Sequence, residues 1–220
     1  MFNLPPTDNG FDRIARVYDI LAFLVFGQSL RKAQTALLHY IPDYSSILII
    51  GGGSGWLLQK LVKKAPSASI VYLEASAKML SFAQQKSNLF PATATVDFRL
   101  GNESAIQPTD KFSVVITPFF LDLFTQQRLQ QAIMPRLFAS LQPGGLWLFT
   151  DFMPPPHKFH QLLLKTMYWF FGKLCSIEAR QLPEYATLFA SYPLQQKASK
   201  TFFNGMVETS VWEKTSACKG

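Results

Sequence analysis

Cysteine is scarce in this chain, histidine nearly so, and long uncharged apolar runs are missing. The two cysteines, Cys175 and Cys218, fall late in 220 residues and are too few to frame a disulfide-built secreted fold. The opening Met1-Phe2-Asn3-Leu4-Pro5-Pro6 lacks the basic, apolar and small-residue order of a secretory signal, so a reduced, cytoplasmic protein is the expectation. No uncharged apolar stretch reaches the ~18–20 residues of a membrane span. The nearest, Leu162 to Ile177, is broken by Lys165 and Lys173, which argues against spanning but leaves peripheral membrane contact open.

The three histidines, His39, His157 and His160, lack ligand-like spacing with cysteines or acids, and no metal site is expected. Basic blocks are also missing. The net charge of +7 comes from 21 Lys+Arg dispersed among 14 Asp+Glu, a pattern of solvated faces in which no nucleic-acid partner is expected. What is abundant is apolar residue, 48% of the chain, enough for one sizeable core in a single domain over residues 1–220.

The most informative stretch is Ile47-Leu48-Ile49-Ile50-Gly51-Gly52-Gly53-Ser54-Gly55-Trp56-Leu57-Leu58. A β-branched run stops at five small residues and an apolar helical pattern follows, as when a buried parallel strand passes into a helix. Glycine at 51, 53 and 55 removes each Cβ from the side a ligand would approach, and the helix start presents unpaired N–H groups to the same place.

The rest of the chain alternates around this turn. Helix is expected over 11–40, with Gly27 ending or kinking a first segment and Ser29 capping a second that runs to His39. Strands follow at 46–50, 70–73, 96–100, 112–117 and 146–150. Helices fall between them at 54–64, at 76–86 opened by Ser76, and after Thr125 with a kink at Pro135. Such alternation with short connections gives parallel strands covered by helices on both faces. After Pro154-Pro155-Pro156 comes a helical, aromatic-rich segment. Two strands then close the chain, 194–203 and 206–215, joined by Asn204-Gly205, a strong hairpin signal. The expected organisation is a helical cap (1–42), a core (43–153), a helical lid (154–192) and a C-terminal hairpin (193–220).

Three ligands compete for the glycine turn. A dinucleotide fold needs G-x-G-x-x-G, but Trp56 or Leu58 stands where the last glycine belongs. A P-loop needs a Gly-Lys-Ser/Thr ending, which is absent. A nucleoside without phosphates remains, against the plainer reading of a turn that binds nothing. Glu74, ending the second strand about 20 residues on, is placed to accept from both ribose hydroxyls, or is simply solvated.

These residues resemble the class I S-adenosylmethionine-dependent methyltransferases. The resemblance covers most of the chain. It rests on Gly51-Gly52-Gly53-Ser54-Gly55, Glu74-Ala75-Ser76-Ala77-Lys78-Met79-Leu80, Leu100-Gly101-Asn102-Glu103 and Leu141-Gln142-Pro143-Gly144-Gly145-Leu146. Phe11-Asp12-Arg13-Ile14-Ala15-Arg16-Val17-Tyr18-Asp19 is similar, over a short span, to the ubiquinone/menaquinone-biosynthesis C-methyltransferase group. The resemblance implies an α/β, Rossmann-like, doubly wound seven-stranded sheet, mostly parallel, with an antiparallel C-terminal hairpin strand. It implies S-adenosylmethionine as cofactor and S-adenosylhomocysteine as product. By position, Gly51, Gly52, Gly53, Ser54 and Gly55 would wrap the methionine portion, Glu74 with Ala75 would hold the ribose, and Met79 would pack near the adenine. Asn102 or Glu103 would accept from the adenine amino group, Thr117 to Phe120 would border the sulfonium, and Tyr18 would close the site. In one departure, Ile49 stands two residues before the first glycine, where relatives commonly carry an acid.

Methyl transfer is an in-line displacement that depends on near-attack geometry and exclusion of water, so no triad is needed. A base matters only where the acceptor loses a proton. Besides Tyr18, the candidates are Asp151 at the end of the fifth strand and His157 and His160 after it; their plainer readings are a turn or cap for Asp151 and an exposed helix start for the histidines. The apolar, aromatic segments 21–26 and 162–171 would form a pocket for a small apolar or aromatic acceptor, or else pack as ordinary helices or a homodimer contact. Two functions stay open: a small-molecule methyltransferase, and an inactive or regulatory binding protein on the same fold.

Overall fold

The Ile47–Ile50 run forms the middle of strand β1 (Ser46–Ile50), and its alternation decides both faces of the sheet. Ile47 and Ile49 enter one apolar cluster and Leu48 and Ile50 another, so the strand is buried on both sides. A computed structural model describes residues 27–88, 95–154, 161, 162, 164, 166 and 178–215. The helix expected over 11–26, with Tyr18, lies outside the described residues, as do His157, His160 and most of the expected 157–177 segment.

β1 pairs in parallel with β2 (Ser69–Glu74) on one side and β4 (Phe112–Pro118) on the other, with Ile49 opposite Tyr72 and Ile116. β3 (Thr95–Leu100) lies outside β2, and β5 (Leu141–Phe152) beside β4. β6 (Leu194–Phe202) and β7 (Val207–Lys214) complete a seven-stranded sheet in the order β3-β2-β1-β4-β5-β7-β6, with β7 antiparallel to both neighbours. The chain reverses its direction of travel across the sheet between β1 and β4. Their carboxyl ends therefore flank a crevice at which ligands bind in open α/β sheets.

Six helices are described: α1 (Ser29–Thr35), α2 (Trp56–Lys64), α3 (Ala77–Ser87), α4 (Gln126–Arg128), α5 (Met134–Ser140) and α6 (Tyr185–Ala190). One face of the sheet buries Leu57, Leu58, Leu61 and Val62 of α2 and Ala83 of α3. The other buries Leu129, Ile133, Met134 and Leu137, together with Leu188 and Phe189 of α6. Each fully buried Leu, Ile or Phe contributes about 1.5–3 kcal/mol. A smaller cluster joins Leu30 and Ala33 of α1 to Phe152, Met206 and Val207, with Phe119, Phe202 and Phe203 against it.

Several boundaries differ from expectation for local reasons. Ser29 does not cap α1; Gln28 precedes it with no side-chain bond, and the helix stops at Thr35 before a 3-10 turn at Leu38–Tyr40. α2 begins at Trp56 because Gly55 is left-handed, with φ +81°. Ser76 and Thr125 do cap: their hydroxyls accept from Met79 N–H at 3.1 Å and Arg128 N–H at 3.3 Å. Pro135 expresses itself as a widened π turn, Leu129–Ile133, in which Met134 N–H reaches back to Leu129 O. β5 starts at Leu141 rather than 146, its extra residues absorbed where pairing shifts between Phe112 and Val114. At the hairpin, Met206 N–H donates to Phe203 O at 3.1 Å across Asn204 (φ +52°) and Gly205 (φ +80°), the mirror-image turn that Asn-Gly favours. No helix among the described residues is long and apolar enough to cross a membrane.

Candidate functional site

The turn after β1 is held from below and is open at one residue. A Cβ on Gly51 would lie 2.6 Å from the Phe120 ring, one on Gly52 2.4 Å from the Tyr72 hydroxyl, and one on Gly55 2.8 Å from Ala83. These three positions are glycine because the protein's own side chains occupy the space. Among the described residues, a Cβ on Gly53, with φ +63°, meets nothing within 4 Å. The expectation that the alternate glycines all clear a ligand's path is thus corrected: Gly53 clears it, and Gly51 and Gly55 admit neighbours.

Two side chains of β2 fix the Gly53 peptides. Its N–H donates to Glu74 Oε2 at 2.9 Å, and its carbonyl accepts from the Tyr72 hydroxyl at 2.9 Å. Residues two apart on a strand share a face, so Tyr72 and Glu74 rise together toward the turn. Glu74 Oε1 also accepts from Ser76 N–H at 2.9 Å, which ties the end of β2 to the start of α3. Sequence reading missed Tyr72, although its place two residues before Glu74 was a signal. It missed Lys86 as well, whose Nζ donates to Ser54 O at 2.7 Å and reaches Ser54 Oγ at 3.3 Å.

Around the Glu74 carboxylate, Ala75 is half-buried and Met79 is buried on α3. Asn102 caps a short turn, its Oδ1 accepting from Ser104 N–H at 2.9 Å and Ser104 Oγ at 2.6 Å. That oxygen therefore takes part in its own turn, with both bonds coming from Ser104. Neighbouring Glu103 is buried, and Arg128 holds it at 3.1 and 3.4 Å. Arg128 also pairs with Glu178 and lies 4.8 Å over the Phe124 ring.

β4 ends at the other wall of the crevice. Thr117 is fully buried and its Oγ1 accepts from Trp147 Nε1 at 3.0 Å, so the side chain supports the wall from within. Phe119 is left-handed, φ +51°, unusual for a bulky residue and typical of functional turns. This reversal parts the two phenylalanines. Phe119 lies tilted against Phe152, with ring centroids 5.1 Å apart, in the small edge cluster, and Phe120 lies beside Phe124 at 5.0 Å and against Gly51.

Asp151 caps a turn from another element: it serves the first N–H groups of the 3-10 turn Leu121–Leu123. It lies inside β5 with no exposed surface, and its Oδ2 accepts from Leu121 N–H at 3.0 Å and Asp122 N–H at 3.2 Å. Burial pushes its carboxyl well above the usual carboxylate range, aided by the adjacent Asp122. Burial likewise pushes Asp122 up to about 6, against the lowering effect of its hydrogen bond with Asp151. A group sealed in this way cannot touch an acceptor, so Asp151 is withdrawn as a general base. Among the described residues no cluster of three or more His, Cys, Asp or Glu could hold a metal.

The comparisons with known proteins address the fold and the domain around this crevice. Residues 47–145 match the family described as methyltransferase domain. The ubiquinone/menaquinone biosynthesis C-methyltransferase of Dinoroseobacter shibae is 25% identical over 150 residues, covering 67% of this chain and 59% of that protein. The chain belongs to the class I S-adenosylmethionine-dependent methyltransferases. A demethylmenaquinone methyltransferase of Thermus thermophilus is 30% identical over 151 residues, 66% of each chain. The fold matches an S-adenosylmethionine-dependent methyltransferase structure from Methanosarcina mazei, with a TM-score of 0.63, 16% identity, and coverage of 82% of this chain and 97% of that one. The match spans about 60% of the length of the first curated relatives.

Proposed function

We propose that this chain binds S-adenosylmethionine at the glycine turn and transfers its methyl group to a small apolar or aromatic acceptor, leaving S-adenosylhomocysteine. The observation that carries this reading is Gly53, open on one side while its N–H and carbonyl are held by Glu74 and Tyr72. The pocket fits that group: a carboxylate accepts up to about four hydrogen bonds, so Glu74 can serve ribose hydroxyls as well as backbone. When bound, the cofactor supplies a methyl on a positively charged sulfur.

The chain's own residues do the positioning. Gly53 allows backbone to approach, and Lys86 with the start of α2 places positive potential at the turn, suited to a carboxylate. Met79 and the turn at Asn102–Ala105 flank the adenine region, where Asn102 or Glu103 accepts from the adenine amino group. Leu30, Phe119, Phe152 and Met206 form the apolar edge of the acceptor side and exclude water. Tyr18 and His157 remain the proposed proton acceptors where the acceptor must lose one. The names of the relatives from Dinoroseobacter shibae and Thermus thermophilus support a quinone-type ring as acceptor class.

Titration calorimetry with S-adenosylmethionine and S-adenosylhomocysteine tests the cofactor, and labelled-methyl transfer to quinone-type rings, phenols and acyl acceptors tests the chemistry. Absence of binding at millimolar cofactor overturns the reading. A second reading rests on Ile49, an apolar residue fully buried in the core cluster two residues before the first glycine, where the resemblance implies an acid. On that reading the fold binds the cofactor as a regulatory protein, and turnover of any acceptor removes it.

A further inference from the structure

Four described residues other than glycine carry a positive φ: Tyr44, Phe119, Phe203 and Asn204. Asparagine tolerates that conformation, and Tyr44 lies before β1, at the far end of the sheet from the crevice. The two phenylalanines differ from both. A bulky side chain is costly there, and strained residues of this kind gather at ligand clamps. Both rings pack against one apolar cluster, which contains Leu30, Phe152, Met206 and Val207.

The chain's connections do not ask for phenylalanine at either place. An Asn-Gly hairpin needs left-handed backbone only at Asn204 and Gly205, with the flanking residues paired. Here the ladder ends one step early, at Phe202 opposite Val207, and Phe203 turns to φ +49°. Neighbouring residues of a strand face opposite ways, so this inversion brings Phe203 to the cluster that Phe202 already meets. After β4 a glycine would adopt φ +51° without strain; the chain has Phe119, whose ring centroid lies 5.1 Å from that of Phe152. Both rings stay half-buried, so full burial in the core is not what offsets the strain.

Topology puts the two residues at one edge of the sheet. β7 is antiparallel to both neighbours, so the β6–β7 turn lies at the edge where β4 and β5 end. Phe152 pairs with Val207, and Met153 N–H donates to Met206 O at 2.9 Å, which joins the hairpin turn to the end of β5. Phe119 is followed directly by Phe120, whose ring abuts Gly51. One side of this reversal meets the glycine turn and the other meets the cluster. We propose that Phe119 and Phe203 are specificity-determining residues that select a planar ring in the methyl acceptor, the loop after β4 and the hairpin turn each presenting one aromatic side chain to it. As the acceptor's subsite it rests on the S-adenosylmethionine reading above; as a site for a flat ring it does not.

Calorimetric titration of the full chain, saturated with S-adenosylhomocysteine, compares α-naphthol with its non-planar counterpart decahydro-α-naphthol. The wild type is expected to bind α-naphthol more tightly. Phe119→Leu and Phe203→Leu keep apolar bulk and remove the flat ring. Each should weaken α-naphthol about 2- to 10-fold, the range of one aromatic pair, and leave decahydro-α-naphthol nearly unchanged. In Phe203→Leu the S-adenosylhomocysteine affinity should stay at the wild-type value, which separates an acceptor contact from a general loss of shape. Phe203→Asn, a residue at home in the left-handed region, should lose α-naphthol affinity yet melt no lower than Phe203→Leu, because the strain leaves with the ring. Equal affinity of the wild type for the two alcohols, or unchanged α-naphthol affinity in either leucine variant, overturns the proposal. So does a Phe203→Asn that melts lower, which would assign the ring to packing alone. If S-adenosylhomocysteine does not bind, the functional reading fails, and the same titrations on the chain without it still decide whether these residues hold a flat ring.

Discussion

A methyl group on Gly51 would come within 2.6 Å of Phe120 Cδ2, whereas one on Gly53 would meet nothing within 4 Å among the described residues. The two positions share a left-handed backbone, φ +72° and +63°, so their alanine variants separate packing from ligand access. Gly51→Ala should lose about 3 kcal/mol, from left-handed strain plus overpacking against the ring. Gly53→Ala should lose only about 1–2 kcal/mol, from strain alone. Yet it should weaken S-adenosylhomocysteine binding by about tenfold or more, because its methyl enters the ligand's side. Urea denaturation and calorimetry on both variants check this. Equal affinity loss at equal stability would count against Gly53 as the open position.

The side chains that hold Gly53 can be separated in the same way. Tyr72→Phe keeps the ring beside Phe98, 5.6 Å away, and removes the hydroxyl that donates to the Gly53 carbonyl. The expected cost is about 1 kcal/mol. Glu74→Gln turns one acceptor into a donor facing backbone N–H groups and removes the charge that ribose hydroxyls would meet. Cofactor affinity should fall about 10- to 100-fold, well beyond the Tyr72→Phe effect. Calorimetry settles the order, and a reversed order argues against the ribose role.

Asp122 gives stability a pH dependence of known sign. Its folded value of about 6 lies above the ordinary 3.8, so its contribution is fully present below about 3.8 and is lost as pH rises through about 6. Asp122→Asn removes that titration. The melting temperature of the variant minus that of the wild type should therefore grow between pH 4 and pH 7, by about 5 °C for a chain of this size. Thermal melts at half-unit steps check it, and a level difference would show that the buried carboxyl is not protonated as described.

Much of the fold was legible in the chain because parallel strands buried on both faces leave an unmistakable trace. Ile47 to Ile50, ended by glycines, located β1, and Asn204-Gly205 located the hairpin that makes β7 antiparallel. What stayed hidden was the content of space between elements. Sequence shows that Gly51, Gly53 and Gly55 lack side chains; it does not show that Phe120 and Ala83 fill two of the gaps. Asp151 at a strand end looks like any polar boundary residue until β5 proves to run on to Phe152 and the carboxyl faces inward. Asn102 shows a comparable local competition. Its side-chain carbonyl, the expected adenine acceptor, also accepts from Ser104, two residues on, in the kind of short-range turn bond that Asn favours.

The last prediction concerns Arg128, which sequence reading left among the dispersed basic residues. Its guanidinium bridges buried Glu103 and the more exposed Glu178, with Phe124 beneath it. Arg128→Met keeps an apolar stem over the ring but leaves Glu103, with a side chain 9% exposed, without its cation. The expected cost is about 2 kcal/mol, less than for a fully buried pair because the Arg128 side chain is 24% exposed. Glu103→Gln should cost less, since a neutral amide still accepts from Arg128. In the double variant Arg128→Met/Glu103→Gln the buried charge and its missing partner disappear together, so the combined loss should be smaller than the sum of the single losses by about 1 kcal/mol. That non-additivity, measured by urea denaturation, identifies a desolvated carboxylate as the origin of the penalty. Strict additivity would instead assign it to lost packing on Phe124.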